Sequence, residues 1–210
     1  MEHQFWHDKW QSNEIGFHQR NTNPWLIRHL DKLPLPVNGH WFLPLCGKTR
    51  DIDWLIQQGF QVSGCELNES AVTQLFSRLD LQPTITTTAQ HRIYQTRQLT
   101  VWVGDVFELT AGDLGHVDAV FDRAALVALP EHMRPSYAGH ITMITASAPQ
   151  LLICFEYQQS LMSGPPFSVP AQEVMQLYKD HDDIKVLSQA AVPGGLKGHC
   201  AATEVCWLLN

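Results

Sequence analysis

From residue 40 onward, apolar and polar positions alternate between strand-like runs and helix-like stripes. Five apolar runs predict strands, within residues 40–45, 60–67, 99–109, 117–129 and 150–157. Helical spacing of the apolar residues between these runs is typical of crossover helices, which makes the five strands parallel. Two later runs, "IKVLSQAAV" and "TEVCWLL", predict an antiparallel hairpin at one sheet edge. The pattern therefore predicts an α/β fold, a Rossmann-like, doubly wound, mostly parallel sheet of seven strands.

Capping residues mark the two helices that are predicted to follow the first and second strands. Thr49 or Asp51 is placed to cap one helix, and Gly59 stands where a left-handed residue would end it. Asn68 is a good N-cap for the next helix. The turns after the first and second strands are therefore expected at the same edge of the sheet.

Two segments fall outside the alternation. Within residues 1–30, Phe5, Trp6 and Trp10 share one helical face, so this segment is either an extra helix packed on the core or a lid with aromatic walls. The polar stretch 82–97, rich in Thr and Gln, predicts an inserted surface ribbon or loop. We interpret residues 1–210 as a single domain that carries residues 1–30 as an N-terminal helical lid segment.

Charge and composition narrow the class of partner. The formal net charge of −7 gives no electrostatic reason to approach nucleic acid or an anionic membrane. The N-terminal "MEHQFWHDKW" lacks the apolar core of a secretory signal, and no run approaches the roughly 20 apolar residues of a membrane span. We therefore expect a cytoplasmic monomer with a small-molecule partner, and no nucleic acid or membrane as partner.

Cysteine and histidine spacing gives no sign of a metal site. The five cysteines are an odd number without a CxxC pair, which predicts buried reduced thiols rather than disulfides or a metal cluster. His3 and His7 are four residues apart and share a helix face, but two ligands alone do not make a site. No metal is expected.

The turn after the first strand, "LPLCGKTRD" at 43–51, has the Gly-Lys-Thr of a phosphate-binding loop. Such a loop needs a glycine where this chain has Phe42, and a dinucleotide site needs three glycines where this turn has only Gly47. A triphosphate or pyrophosphate is therefore disfavoured. Glu66 comes 19 positions after Gly47, which is close to the spacing of an acidic residue that binds ribose hydroxyls.

A ligand with ribose and adenine but no phosphate fits this turn, and S-adenosyl-L-methionine is such a ligand. Asp105 would accept from the adenine amino group while Val106 packs on the ring. The alternatives are that Glu66 is solvated at a strand end and that Asp105 only caps a turn.

A charged pair, Asp122 and Arg123, is expected at the end of the fourth strand. Charges at such a position are costly to bury unless they serve a ligand or a structural ion pair. The sequence leaves these two explanations open.

Six segments in order resemble the thiopurine S-methyltransferase family in its bacterial form: "FWHDKWQ", "IGFHQ", "PLCGKTRDIDWL", "GCEL", "DRAALVALP" and "GPPFSVP". The resemblance implies that S-adenosylmethionine is bound by Trp10, the backbone of Leu45, Glu66 and Arg123, with Asp105 and Val106 near the adenine. It also implies that Phe17 lines the acceptor side. No role is implied for residues 82–97.

The activity implied by the resemblance is methyl transfer to the sulfur of aromatic or heterocyclic thiols such as thiopurines, leaving S-adenosyl-L-homocysteine. Selenium or tellurium compounds are a further implied acceptor class, and detoxification or resistance to tellurite or selenite is the implied role. No dedicated general base is expected, and Arg123 would orient or stabilise the thiolate. Two alternatives stay open: a same-fold methyltransferase for another small nucleophile, and a non-catalytic adenosine-ligand binding protein.

Overall fold

The computed structural model describes residues 3–210, which form a three-layer arrangement of helices around one sheet. The strands are β1 (His40–Leu43), β2 (Gln61–Glu66), β3 (Thr84–Thr87), β4 (Arg92–Gln95), β5 (Leu99–Val103), β6 (Ala119–Arg123), β7 (Gln150–Glu156), β8 (Ile184–Ala191) and β9 (Thr203–Leu209). The helices are α1 (His3–Gln11), α2 (Pro24–His29), α3 (Arg50–Gln57), α4 (Glu69–Arg78), α5 (Ala111–Leu114), α6 (Arg134–Ile144) and α7 (Ala171–Leu177).

The sheet order is β3-β4-β5-β2-β1-β6-β7-β9-β8. β5, β2, β1, β6 and β7 are parallel to one another, as predicted, and β9 joins β7 and β8 in antiparallel pairing. The chain runs outward from β1 through β2 towards β5, and then crosses back to β6 on the other side of β1 and continues to β7. The carboxyl end of β1 is therefore the switch point at which ligands of open α/β sheets bind.

The sheet has nine strands rather than the seven predicted. The two additional strands, β3 and β4, lie in residues 82–97 and form an antiparallel hairpin that extends the sheet beyond β5. All four residues of β3 are exposed, and in β4 only Tyr94 is buried. An exposed edge hairpin has almost no apolar alternation, so its strands are hard to count from the sequence.

Each face of the sheet has its own apolar core. One core packs α2, α3 and α4 on the sheet through residues such as Leu26, Leu55 and Leu75, and the other packs α6 and α7 through Tyr137 and Val174. All five cysteines are buried and free, as predicted. Among the described residues, no helix combines the length and apolar character needed to cross a membrane.

The predicted helix caps form, and they lie next to the switch point. The Thr49 side chain accepts from the backbone N–H of Asp51 and caps α3, and the Asn68 side chain accepts from the N–H of Ala71 and caps α4. Gly59 follows α3 with a φ of +91°. Both helices therefore begin beside the carboxyl ends of β1 and β2 and fix the turns that lead into them.

Candidate active site

A cavity opens at the carboxyl ends of β1, β2, β5 and β6. We call it the first cavity. All seven residues predicted from the sequence line it: Trp10, Phe17, Leu45, Glu66, Asp105, Val106 and Arg123. Four strand ends and the N-terminal segment are thus brought together in one place.

The turn after β1 brings backbone directly to the cavity wall. Leu45 and Gly47 both have left-handed backbone, with φ of +48° and +53°. A Cβ on Gly47 would lie 3.2 Å from Cζ2 of Trp10, which is tighter than an ordinary contact. Glycine is therefore favoured at this position, because it adopts this conformation without strain and leaves room for the Trp10 ring.

Glu66 is a buried carboxylate that ties together the turns after β1 and β2. Its Oε2 accepts from the backbone N–H of Gly47 at 2.8 Å and its Oε1 from that of Asn68 at 2.7 Å. Burial raises the pKa of Glu66 to about 7, although these N–H groups favour the ionised form. Glu66 is only 6% exposed, so it is not a solvated strand end. Each oxygen keeps a second lone pair for a ligand hydroxyl.

Asp105 and Val106 form the cavity wall after β5. Asp105 Oδ1 accepts from the N–H of Phe107 at 3.0 Å, and this is the turn cap that the sequence left as an alternative. Asp105 Oδ2 lies 3.0 Å from Nε2 of His3 in α1. Val106 is buried, and its carbonyl oxygen lies 2.8 Å from Nε2 of His140.

The charged pair at the end of β6 is split between the two faces of the sheet. Asp122 points into the core, where its carboxylate accepts from the Tyr137 hydroxyl at 2.8 Å and from the N–H of Leu126 at 3.1 Å. Burial raises the pKa of Asp122 to about 6. Arg123 points to the cavity, as alternation along a strand requires. Asp122 is therefore a structural residue, whereas Arg123 faces the site.

Arg123 joins the N-terminal segment to the sheet. Its Nη1 donates to the carbonyl oxygen of Phe17 at 2.8 Å, and its Nε lies 3.8 Å from Oδ2 of Asp51. Burial lowers the pKa of Arg123, while Asp51 and Glu204 oppose that shift. Sequence reasoning considered Asp51 only as a helix cap, but the structure makes it the buried counter-ion of this arginine.

The N-terminal segment packs on the cavity through aromatic rings. Trp6 and Trp10 both lie edge-to-face on Phe17, with ring centroids 5.6 and 5.4 Å apart. The ammonium of Lys48 lies 5.6 Å from the centroid of Trp10. No residue of α1 is buried, so the helix rests on the mouth of the cavity rather than in the core.

His18 is a residue of this site that the sequence did not reveal. It lines the first cavity, and burial together with the positive charges of Lys48, Arg78 and Arg123 lowers its pKa to about 4. Its imidazole is therefore neutral near pH 7. Only its position within "GFHQ", next to Phe17, would have indicated it.

A second cavity adjoins the first and shares with it the walls formed by Trp6, Phe17, Arg123, Ala124 and Ala128. Its further walls include the aromatic and proline side chains of Phe5, Phe155, Pro165 and Pro166, the aliphatic side chains of Val127, Ile153 and Leu196, and the charged residues Lys9, Glu14, Lys197 and Glu204. Of its residues, sequence reasoning named Phe17 and Arg123 as site residues. Within residues 3–210, no group of three or more His, Cys, Asp or Glu side chains is placed to hold a metal ion.

The family model described as "Thiopurine S-methyltransferase (TPMT)" matches residues 1–202 of the chain. The chain belongs to this family. It is 50% identical to the thiopurine S-methyltransferase of Xanthobacter autotrophicus over the whole chain and 99% of that relative, and 47% identical to that of Teredinibacter turnerae over the whole chain and 98% of that relative. The chain is thus an S-adenosylmethionine-dependent methyltransferase, as the resemblance implied.

Solved structures agree with the fold. The 1,6-didemethyltoxoflavin-N1-methyltransferase of Burkholderia thailandensis, with bound 1,6-didemethyltoxoflavin and S-adenosylhomocysteine, superposes with a TM-score of 0.67 at 14% identity over 99% of this chain and 87% of that chain. The magnesium protoporphyrin IX methyltransferase of Synechocystis gives a TM-score of 0.55 over 89% of this chain and 78% of that chain. Both confirm the α/β methyltransferase fold.

Proposed function

We propose that this enzyme transfers the methyl group of S-adenosylmethionine to the sulfur of aromatic and heterocyclic thiols such as thiopurines. The observation that carries the proposal is that a cavity at the switch point meets an aromatic cavity at Arg123 and Phe17. The first cavity takes the methyl donor and the second takes the acceptor. A small molecule is then the partner, and the protein acts as a monomer in the cytoplasm within one domain of residues 1–210.

The residues of the first cavity fit the donor. Glu66 is a buried acceptor for ribose hydroxyls, Leu45 offers a carbonyl at a left-handed turn, and Gly47 keeps space that a Cβ would fill. Trp10 forms a wall beside this turn. We assign Asp105 and Val106 to the adenine side, where the carboxylate would accept from the amino group.

The acceptor sulfur must approach the methyl carbon in line with the leaving sulfur, so positioning carries most of the catalysis. The donor supplies an electrophilic methyl group on a sulfonium. Aromatic thiols with a lowered pKa are already substantially ionised near neutrality and need no general base. Arg123 stabilises and orients the thiolate, and Phe17 lines the acceptor side. Residues 1–30, with α1 and Phe17, act as a lid that keeps water from both ligands.

Calorimetric titration with S-adenosylhomocysteine, followed by assays with labelled donor and 6-mercaptopurine, tests this function. We expect binding and a methylated thiol. Binding without methylation of any thiol would contradict the acceptor class, and an acceptor screen that includes selenite and tellurite tests the further implied acceptors. The absence of binding would contradict the donor site as well.

The role of Arg123 is tested by Arg123→Ala. We expect kcat/KM for an ionised thiol to fall about tenfold to hundredfold at every pH, because a buried charged hydrogen-bond donor is lost. The matched control is Arg20→Ala, an exposed arginine of the same N-terminal segment. Unchanged kcat/KM across the pH range would exclude the role assigned to Arg123.

A further inference from the structure

One carboxylate that faces the second cavity has no role in the function proposed above. Glu204 lies near the start of β9, in an otherwise mainly apolar strand, and is partly buried. Within residues 3–210 no hydrogen bond to its carboxylate is found, and Arg123 is the charged group that favours its ionised form. A carboxylate without hydrogen-bond donors in a partly buried position is costly unless it serves a purpose.

Strand register places Glu204 on the same side of the sheet as Arg123. Arg123 pairs with Ile153 of β7, Ile153 pairs with Cys206 of β9, and Phe155 pairs with Glu204. Residues paired across strands share a face, as do residues two apart on one strand. Arg123, Ile153, Phe155 and Glu204 therefore project from one face at the carboxyl end of β7, and all four line the second cavity.

The other charges around this cavity already have partners. Lys9, from α1, pairs with Glu14, and Nζ of Lys197, from the β8–β9 connection, donates to the carbonyl oxygen of Pro165 at 2.7 Å. The guanidinium of Arg123 has the buried carboxylate of Asp51 as its closer counter-ion, at 3.8 Å. Glu204 is therefore not needed to neutralise a lysine, and it faces the region where we place the acceptor.

We propose that Glu204 is the general base for acceptor thiols that enter the second cavity in the neutral S–H form. This rests on the proposed function and extends it from ionised aromatic thiols to thiols of higher pKa. The S–H bond breaks and its proton passes to the Glu204 carboxylate, while the sulfur electron pair forms a bond to the methyl carbon. The bond from that carbon to the donor sulfonium breaks, and the proton is later released to water.

Burial supports this role because it raises the pKa of Glu204, while Arg123 opposes the shift. A raised pKa makes a carboxylate a better proton acceptor. At neutral pH a general base can still accelerate the methylation of aliphatic thiols by removing the S–H proton, since their pKa values lie well above 7. A general base does not accelerate the methylation of a thiol that is already ionised.

The test compares Glu204→Gln with the wild-type enzyme on benzyl mercaptan, which is neutral at pH 7, and on 4-nitrothiophenol, which is ionised. We expect kcat/KM for benzyl mercaptan to fall about tenfold to hundredfold near pH 7. The deficit should shrink as the pH rises past the pKa of this thiol. With 4-nitrothiophenol we expect no loss, because Arg123 then has one anion fewer beside it.

The matched control is Glu156→Gln, a partly buried carboxylate of β7 that lines neither cavity. Titration with S-adenosylhomocysteine and thermal unfolding show whether each variant keeps its donor site and fold. Equal losses on both thiols at every pH, or no loss on either, would overturn the role of Glu204. If the wild-type enzyme methylates neither thiol although it binds S-adenosylhomocysteine, the proposed function itself is what fails.

Discussion

The two cavities are built in different ways. The first is formed by the ends of β1, β2, β5 and β6, and its key carboxylate, Glu66, is held by backbone N–H groups. The second collects side chains from α1, the ends of β6 and β7, the 164–166 loop, the β8–β9 connection and β9. A site held by backbone presents nearly the same geometry to any ligand, whereas a site of side chains and loops can change its shape by substitution. This difference suits one fixed donor and a range of acceptors.

The largest effect is expected at the first cavity, from Glu66→Ala. The variant removes the acceptor for ribose and leaves the buried N–H groups of Gly47 and Asn68 without a partner, at about 1–3 kcal/mol each. We expect the affinity for S-adenosylhomocysteine to fall about hundredfold, measured by calorimetry. Glu69→Ala is the control, because Glu69 bonds Tyr94 and Arg92 and lines neither cavity. An unchanged affinity would show that Glu66 does not contribute to donor binding.

A smaller effect is expected where the two cavities share a wall, from Phe17→Leu. The ring packs edge-to-face on Trp6 and Trp10, and aromatic pairs contribute about 0.5–1.5 kcal/mol each beyond the area they bury. We expect KM for thiopurine to rise about fivefold while the affinity for S-adenosylhomocysteine changes by less than about twofold. Equal changes in both would show that the two cavities do not act separately.

The smallest effect is a pH dependence of donor affinity. The pKa of Glu66 is raised to about 7 by burial, and the ionised carboxylate is the form that accepts from ribose hydroxyls. Donor affinity should therefore be complete well above that pKa and decline as the pH falls through it, by about twofold between pH 8 and pH 7. Glu66→Gln should give weaker but pH-independent binding. A pH slope that survives in this variant would place the titrating group elsewhere.

The sequence was most informative where function depends on strand ends. The carboxyl-end rule predicted that Glu66, Asp105 and Arg123 lie at strand ends beside a ligand, and all three line the first cavity. The family resemblance, rather than the spacing, separated Arg123 from Asp122. The turn cap at Asp105 and the caps at Thr49 and Asn68 follow from local chemistry in the same way.

Long-range pairing was not visible in the sequence. Asp51 as the counter-ion of Arg123 joins residues 72 positions apart, and Glu204 reaches the site only through the register of β6, β7 and β9. The pKa of His18 depends on four cations, Lys48, Arg50, Arg78 and Arg123, which come from three parts of the chain. The edge strands β3 and β4 bury too little apolar surface to leave a periodic signal.

The hydrogen bond from Arg123 to the Phe17 carbonyl has a consequence for steady-state kinetics. It closes the N-terminal segment over both cavities, and His3 holds the same segment to Asp105. If the donor fills the first cavity, as we propose, it lies beneath walls that the acceptor also needs. Addition should then be compulsory, donor before thiol, with the methylated thiol leaving first. S-Adenosylhomocysteine would inhibit competitively against the donor and non-competitively against the thiol.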